Sequence, residues 1–227
     1  MGSTRLPGKS LREFGDSTLL QHILRRLGSM EQRASLLVAT STESEDDAIE
    51  AACRDEQVAV FRGSRDDVLG RVAAAVGALE PRPELVLRVC ADRPLICPRL
   101  ADELLATHDS AGRPDYLSNT LVKSYPDGLD LELVSTDALL AAAEEAADPY
   151  EREHVTPFVY RRPERFSLVN ITCPYGNYSD VRATIDYPAD YEALARVAAR
   201  LGPHYDWRDV LTLAEVEPEL FPPSPPE

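Results

Sequence analysis

The residues that could do chemistry begin at the first position of the chain. In MGSTRLPGKS, Arg5 and Lys9 supply two cations, and Gly2 and Gly8 free the backbone around them. That set suits a triphosphate, which needs backbone N–H donors at close range and positive charge on its leaving phosphates. A phosphate-loop motif has a glycine, four residues, then Gly-Lys-Ser/Thr. Here the residues between Gly2 and Gly8 are one too many for it. On spacing alone the stretch also fits a flexible basic terminus.

Four further sites carry charge in suggestive places. Asp92, in VCADRPLI, ends an expected buried strand, where a carboxylate is costly without a partner. It is either a metal ligand or a helix cap. Asp186, in RATIDYPAD, ends another expected strand just before a helix. It either caps that helix or shares one Mg²⁺ with Asp92, since Mg²⁺ takes few protein oxygens and several from phosphate. In YPDGLDLE, Pro-Asp-Gly is a turn signal that assigns Asp127 to structure. Asp130 and Glu132 then fall on one face of a strand, where they could bond substrate hydroxyls. In YEREHVT, Arg152, Glu153 and His154 form either a solvated helix face or a substrate contact. No Ser/His/Asp or Cys/His arrangement with a nucleophile elbow is present, which sets hydrolases aside.

The elements that must position these residues alternate. Strands are expected at 36–42, 58–63, 84–92 and 115–120, with helices at 17–28, 44–56, 66–79 and 98–109. Strands alternating with helices of this length imply βαβ units and a parallel sheet. Ligands bind such sheets beyond the carboxyl ends of the strands. The polar segments TSTESEDD, FRGSRDD and CADRP lie there. After Lys123 the rhythm changes. A half-wet strand is expected at 128–135, a helix at 136–147, and a helix at 151–163 that Pro157 interrupts or starts. Antiparallel strands are expected at 166–172 and 181–186, and an amphipathic helix at 188–202. The expected layout is one domain over 1–220, with a small antiparallel lobe at 123–180 and a disordered tail at 221–227.

Bulk properties exclude several classes. The 227 residues carry a net charge of −15, which argues against general nucleic-acid binding. Lys9 and Lys123 are the only lysines. No apolar run approaches the roughly 18 residues that span a bilayer, and the N-terminus has no signal-peptide h-region. A cytoplasmic location is therefore expected. Cys53, Cys90, Cys97 and Cys173 show no metal spacing and read as reduced thiols.

Taken together, GSTRLPGK, FRGSRDDVLGR, ADRPLI, SNT, YPDGLDLE, EREHVTP and TIDYPADY occur in the order of one family. The chain resembles the SpsF-like cytidylyltransferases of spore-coat polysaccharide biosynthesis, relatives of the acylneuraminate (CMP-sialic acid) and CMP-KDO synthetases, from residue 1 to about 200. The resemblance implies an α/β, Rossmann-like three-layer nucleotidyltransferase fold of the glycosyltransferase-A type. It also implies CTP as donor, Mg²⁺ as cofactor, an acidic sugar or phosphorylated acceptor, and a homodimer. By the same resemblance Lys9 and Arg5 are catalytic and, with Gly2, Ser3, Arg71 and Arg62, hold the nucleotide. Asp92 and Asp186 hold the metal, and Asp130, Glu132, Arg152 and His154 shape the acceptor pocket.

Two departures qualify the pattern. Arg93 adds a charge beside Asp92 where the family runs Gly-Asp-Cys-Pro. Relatives also begin with an apolar strand running into Met-Gly-Ser, so this chain is expected to lack the first strand, with Met1 at an internal position. Two other readings follow: a glycosyltransferase of the same fold using a nucleotide-sugar, and an inactive, truncated homologue.

Overall fold

The computed structural model describes residues 6–32 and 34–223. A turn of 3₁₀ helix over Lys9–Leu11 leads into a short hairpin of β1 (Glu13–Phe14) and β2 (Ser17–Thr18). Helix α1 (Leu19–Leu27) follows. Its N-cap is Thr18, whose hydroxyl accepts from Gln21 N while the Gln21 side chain accepts from Thr18 N. That reciprocal arrangement satisfies two otherwise orphaned donors and fixes where the helix begins.

Strands β3 (Leu37–Ser41) and β4 (Ala59–Gly63) pair in parallel, with α2 (Asp47–Asp55) as their crossover. Helix α3 (Val68–Gly77), capped by Asp67, leads to β5 (Leu85–Arg88). Helix α4 (Pro98–Ser110) begins with proline, as suits a first helical position. Then come β6 (Tyr116–Ser118), β7 (Glu132–Ser135) and α5 (Thr136–Glu145). The expected helix at 151–163 is two pieces, α6 (Pro149–His154) and α7 (Pro157–Tyr160). Pro157 starts the second, because its ring cannot continue the first. Strand β8 (Leu168–Asn170), α8 (Pro188–Leu201) and α9 (Trp207–Val216) complete the order.

The four-stranded sheet runs β5-β7-β6-β8 and is mixed. Strand β7 opposes both its neighbours, while β8 is parallel to β6. Among the described residues β3 bonds only β4, and β5 bonds only β7. Side-chain alternation sorts the sheet's two faces. Leu87, Leu117 and Leu133 share one cross-strand row and pack with α4, α8 and α9. Val86, Tyr116 and Val134 share the next row and pack with α3, α5 and α7. A third cluster joins Leu20 and Leu24 of α1 to Ile49 and Cys53 of α2 over β3 and β4. The result is a helix–sheet–helix sandwich.

Several expectations need correction. The tail expected at 221–227 is held at its start, where Phe221 packs in the main core and Pro223 O accepts from Arg182; residues 224–227 lie outside the described residues. The segment at 166–172 is a parallel strand, not an antiparallel one. The segment at 181–186 is not a strand. Its backbone groups go to different partners: Ala183 N to Asp127 O and Ile185 N to Asp92 O. With bonds divided between two segments, no ladder propagates, and one parallel bridge, Asp127–Arg182, remains. Helix α9 was not foreseen, although Asp206 and Asp209 form a capping box at its start. The 123–180 segment places β7 and β8 within the main sheet.

Candidate active site

The opening turn is anchored by Leu6, which is 1% exposed in the main core. Gly8 takes φ 71°, a left-handed turn that favours glycine, and the 3₁₀ turn begins at Lys9. The Lys9 ammonium donates to Asp92 Oδ2 at 3.0 Å and to the Ile185 carbonyl at 2.8 Å. Asp92 and Ile185 are themselves joined, Ile185 N donating to Asp92 O at 2.9 Å. Three segments far apart in sequence thus meet at one corner, and Asp186 adjoins it as the next residue. Gly2, Ser3 and Arg5 lie outside the described residues.

Neither carboxylate at this corner is a helix cap. Helix α4 starts six residues after Asp92, with Cys97 at its cap position. At the start of α8 the capping carboxylate is Asp190, which accepts from the backbone N–H groups of both Asp186 and Tyr187. Arg182 holds Asp190 in place at 2.6 Å and lies 3.9 Å from Asp186. The Asp92 and Asp186 side chains stay 31% and 37% exposed. Among the described residues no group of three or more His, Cys, Asp or Glu forms a metal cage. Two part-exposed carboxylates could hold a Mg²⁺ that keeps phosphate and water ligands, with Lys9 beside one and Arg182 beside the other.

Gly128 shows how the corner is built from below. It has φ 118°, and a side chain there would come within 2.4 Å of the Ala183 carbonyl oxygen. Only glycine lets the Pro-Asp-Gly turn approach the 181–185 segment. Asn119, of the SNT stretch, is buried and grips the same turn, donating to Leu129 O and accepting from Leu131 N.

A second concavity of about 790 Å³ opens beyond the carboxyl ends of β3 and β4. Thr40, Ser41, Asp46, Asp67, Arg71 and Arg152 line it. Asp46 is 4% exposed. Burial opposes its charge, but the Ser41 and Thr40 donors hold its carboxyl below the usual carboxylate range. Arg71 donates to the carbonyls of Ser64 and Arg65, and its buried Nε has no protein partner. Arg62 is not part of this wall. It straps β3 to α2 through Ser41 O, Glu43 O, Asp47 and Glu50. Arg152 lines the concavity but its guanidinium is engaged, pairing with Asp67 and donating to Ala143 O and Ala146 O. His154 packs its ring against that of Tyr150, centroids 4.3 Å apart and tilted by 52°, and joins neither site.

Asp130 and Glu132 both lie inside the protein. Glu132 accepts from Arg88, Tyr116 Oη and Thr156 Oγ1. Burial alone would raise its carboxyl, but Arg88 and the two hydroxyls hold it below the ordinary value. Asp130 has one charged partner, Arg93 at 3.0 Å, and burial raises its carboxyl. The added charge of Arg93 thus turns away from Asp92, toward Asp130. Both placements differ from an open pocket wall, because internal donors already satisfy these carboxylates. The sequence does not single out Arg88 or Asp46, and it marks Arg93 only as a charge beside Asp92, not as the partner of Asp130; an arginine four positions before Asp92 is the available signal for Arg88.

The family model described as "Cytidylyltransferase" matches residues 1–200. The chain belongs to the cytidylyltransferase family. It is 31% identical to the spore coat polysaccharide biosynthesis protein SpsF of Bacillus subtilis (strain 168), over 96% of this chain and 92% of that protein. It is 28% identical to the 3-deoxy-manno-octulosonate cytidylyltransferase of Solibacter usitatus, covering 77% of this chain and 72% of that one. A solved cytidylyltransferase from Leptospira borgpetersenii superposes with a TM-score of 0.91 at 29% identity, over 100% of this chain and 95% of that one. This cytidylyltransferase therefore has the Rossmann-like nucleotidyltransferase fold of its relatives. No helix among its described residues is long and apolar enough to cross a membrane.

Proposed function

We propose that this cytidylyltransferase transfers CMP from CTP to an acidic sugar or phosphorylated acceptor in surface polysaccharide or glycan synthesis. An acceptor oxygen bonds to the α-phosphorus, the bond to the bridging oxygen breaks, pyrophosphate leaves, and the acceptor's proton passes to solvent. The observation that carries this reading is the corner where Lys9 meets Asp92 and the Ile185 carbonyl beside Asp186. Charge grows on phosphate oxygens in such a reaction, so the protein's part is mostly positioning and electrostatics. Lys9 would neutralise the leaving phosphates, and Arg5 would join it. Asp92 and Asp186 would hold Mg²⁺, whose positive charge would offset the negative charge developing on phosphate oxygens. Arg71, which lines the second concavity, suits the nucleoside end of CTP.

The test is pyrophosphate release with CTP, Mg²⁺ and a panel of 3-deoxy acid sugars and phosphorylated acceptors. Release that requires CTP and one acceptor class supports the reading. Absence of release with any nucleoside triphosphate from folded protein overturns it. We also propose a homodimer, supported by the exposed Val122, Tyr150 and Tyr175 in and beside the 123–180 segment. Sedimentation velocity at micromolar concentration would show one species of twice the chain mass.

A further inference from the structure

The segment that carries Asp92 has no regular structure, yet nearly every carbonyl in it has a donor. Asp92 O accepts from Ile185 N, and Arg93 O from Ile96 N. Ile96 O accepts from Arg26 Nε at 2.7 Å. Pro94 O lies 2.9 Å from His22 Nε2 and also accepts from Tyr205 Oη at 3.3 Å. A carbonyl only accepts, so His22 Nε2 carries the proton. His22 and Arg26 are one turn apart on α1, so one helix face grips both ends of the Pro94–Ile96 stretch.

The same helix fixes the opening turn. Leu19 N, at the start of α1, donates to Arg12 O, one residue past the Lys9–Leu11 turn. Phe14, in the hairpin between the two, packs its ring 4.9 Å from that of His22. Helix α1 is thus a common frame for Lys9 on one side and Asp92 on the other, and His22 touches both halves. Pro94, Leu95 and Ile96 are buried, so the segment cannot shift without dragging the core.

We infer that His22 is a positioning residue, which sets the Asp92 carboxylate toward the cation and triphosphate by holding the Pro94 carbonyl. The inference rests on the reading of Asp92 given above. Burial lowers the pKa of His22 from its ordinary value, with Arg26 and Arg25 adding to the effect, so the ring is a neutral donor at neutral pH. Direct hydrogen-bond partners of a metal ligand typically change affinity about 10- to 100-fold when removed, and His22 acts one step further back, through Pro94 O, so an effect of about 10-fold is expected.

The experiment measures free Mn²⁺ by electron paramagnetic resonance in mixtures of protein, Mn²⁺ and CTP without acceptor, beside steady-state kinetics. His22→Leu fills the space without a donor, and His22→Gln restores an N–H near the Nε2 position. The Leu variant is expected to weaken Mn²⁺·CTP binding about 10-fold, with the loss in KM for CTP exceeding that in kcat. The Gln variant should recover most of it. Tyr205→Phe, which removes the second donor on Pro94 O, should shift binding in the same direction by less. Wild-type affinity in a folded Leu variant, or a Gln variant no better than Leu, overturns the inference. A Leu variant that loses its fold while Gln keeps fold and affinity assigns His22 to stability alone and also overturns it. Asp92→Asn separates the two levels. If it binds Mn²⁺·CTP like the wild type, the reading of Asp92 fails; if it loses binding and His22→Leu does not, only the role of His22 fails.

Discussion

Two acid–base clusters of this molecule are built in opposite ways. Around Glu132, one carboxylate receives a guanidinium and two hydroxyls and is only 9% exposed. Around Asp92, the carboxylate receives one ammonium and stays 31% exposed, with Asp186 beside it 37% exposed. The first cluster is closed: its charges answer each other. The second leaves oxygen lone pairs toward solvent, and a site that takes a cation and phosphates needs that. A buried charge that is fully partnered holds structure, while a half-partnered charge at the sheet edge is free to act.

The contrast can be broken from either side. Glu132→Ala strips the partner from the mostly buried Arg88 and should cost about 3 kcal/mol, the lower end for opening a buried pair. Urea unfolding would register it as a large drop in midpoint, with loss of activity following loss of fold. Asp92→Asn should do the reverse. Its ion pair with Lys9 is half-exposed and worth under about 1 kcal/mol. Turnover of CTP should nevertheless fall about 10²- to 10³-fold, the scale for one electrostatic group at a reacting phosphate. A thermal melt close to wild type beside that kinetic loss would confirm the split; equal losses in both would erase it.

A smaller effect sharpens the comparison at the second concavity. Asp67 caps α3 through Gly70 N and pairs with Arg152 of α6. Asp67→Ala should cost about 1 kcal/mol, mainly the lost cap, while Asp67→Asn keeps part of it; both are read by the unfolding midpoint. Smallest is the pH response. Glu132 has its carboxyl lowered in the fold, so its stabilisation is full above the unfolded value of about 4.3 and is lost as pH falls through the folded one. Asp130, whose carboxyl burial raises, has the opposite sign and favours the fold as pH falls through its raised value. Stability curves of Glu132→Gln and Asp130→Asn between pH 3 and 6 should therefore deviate from wild type in opposite directions.

Much of the frame was legible from pattern. Alternation of strands and helices placed α1 to α4 and β3 to β6 within a few residues, because apolar periodicity and caps are local. Pro157 can interrupt a helix or start one, and here it starts α7. The strand expected at 181–186 failed for a non-local reason: its donors are claimed by Asp127 and Asp92, which no window of sequence contains. The expected strand 84–92 ends at Arg88, where the last ladder pair is Arg88–Glu132. Asp130 and Glu132 are expected on one face of a strand, but the strand begins only at Glu132, and alternation cannot say whether a strand face looks into a pocket or into a guanidinium. Arg62 and Arg152 looked available for ligand, yet both are tied to nearby acids and carbonyls. An arginine's partners, unlike its charge, are a property of the fold.

By itself the sequence determined the fold class, the family and the residue types at the strand ends, since those follow from periodicity, turn chemistry and ordered motifs. Tertiary structure alone decided which acids are free. Asp190 takes the cap that Asp186 could have taken, Arg93 turns to Asp130, and Lys9 crosses 83 positions to reach Asp92. The physical reason is competition: each donor goes to the acceptor that packing brings nearest, and packing is settled by the whole chain at once.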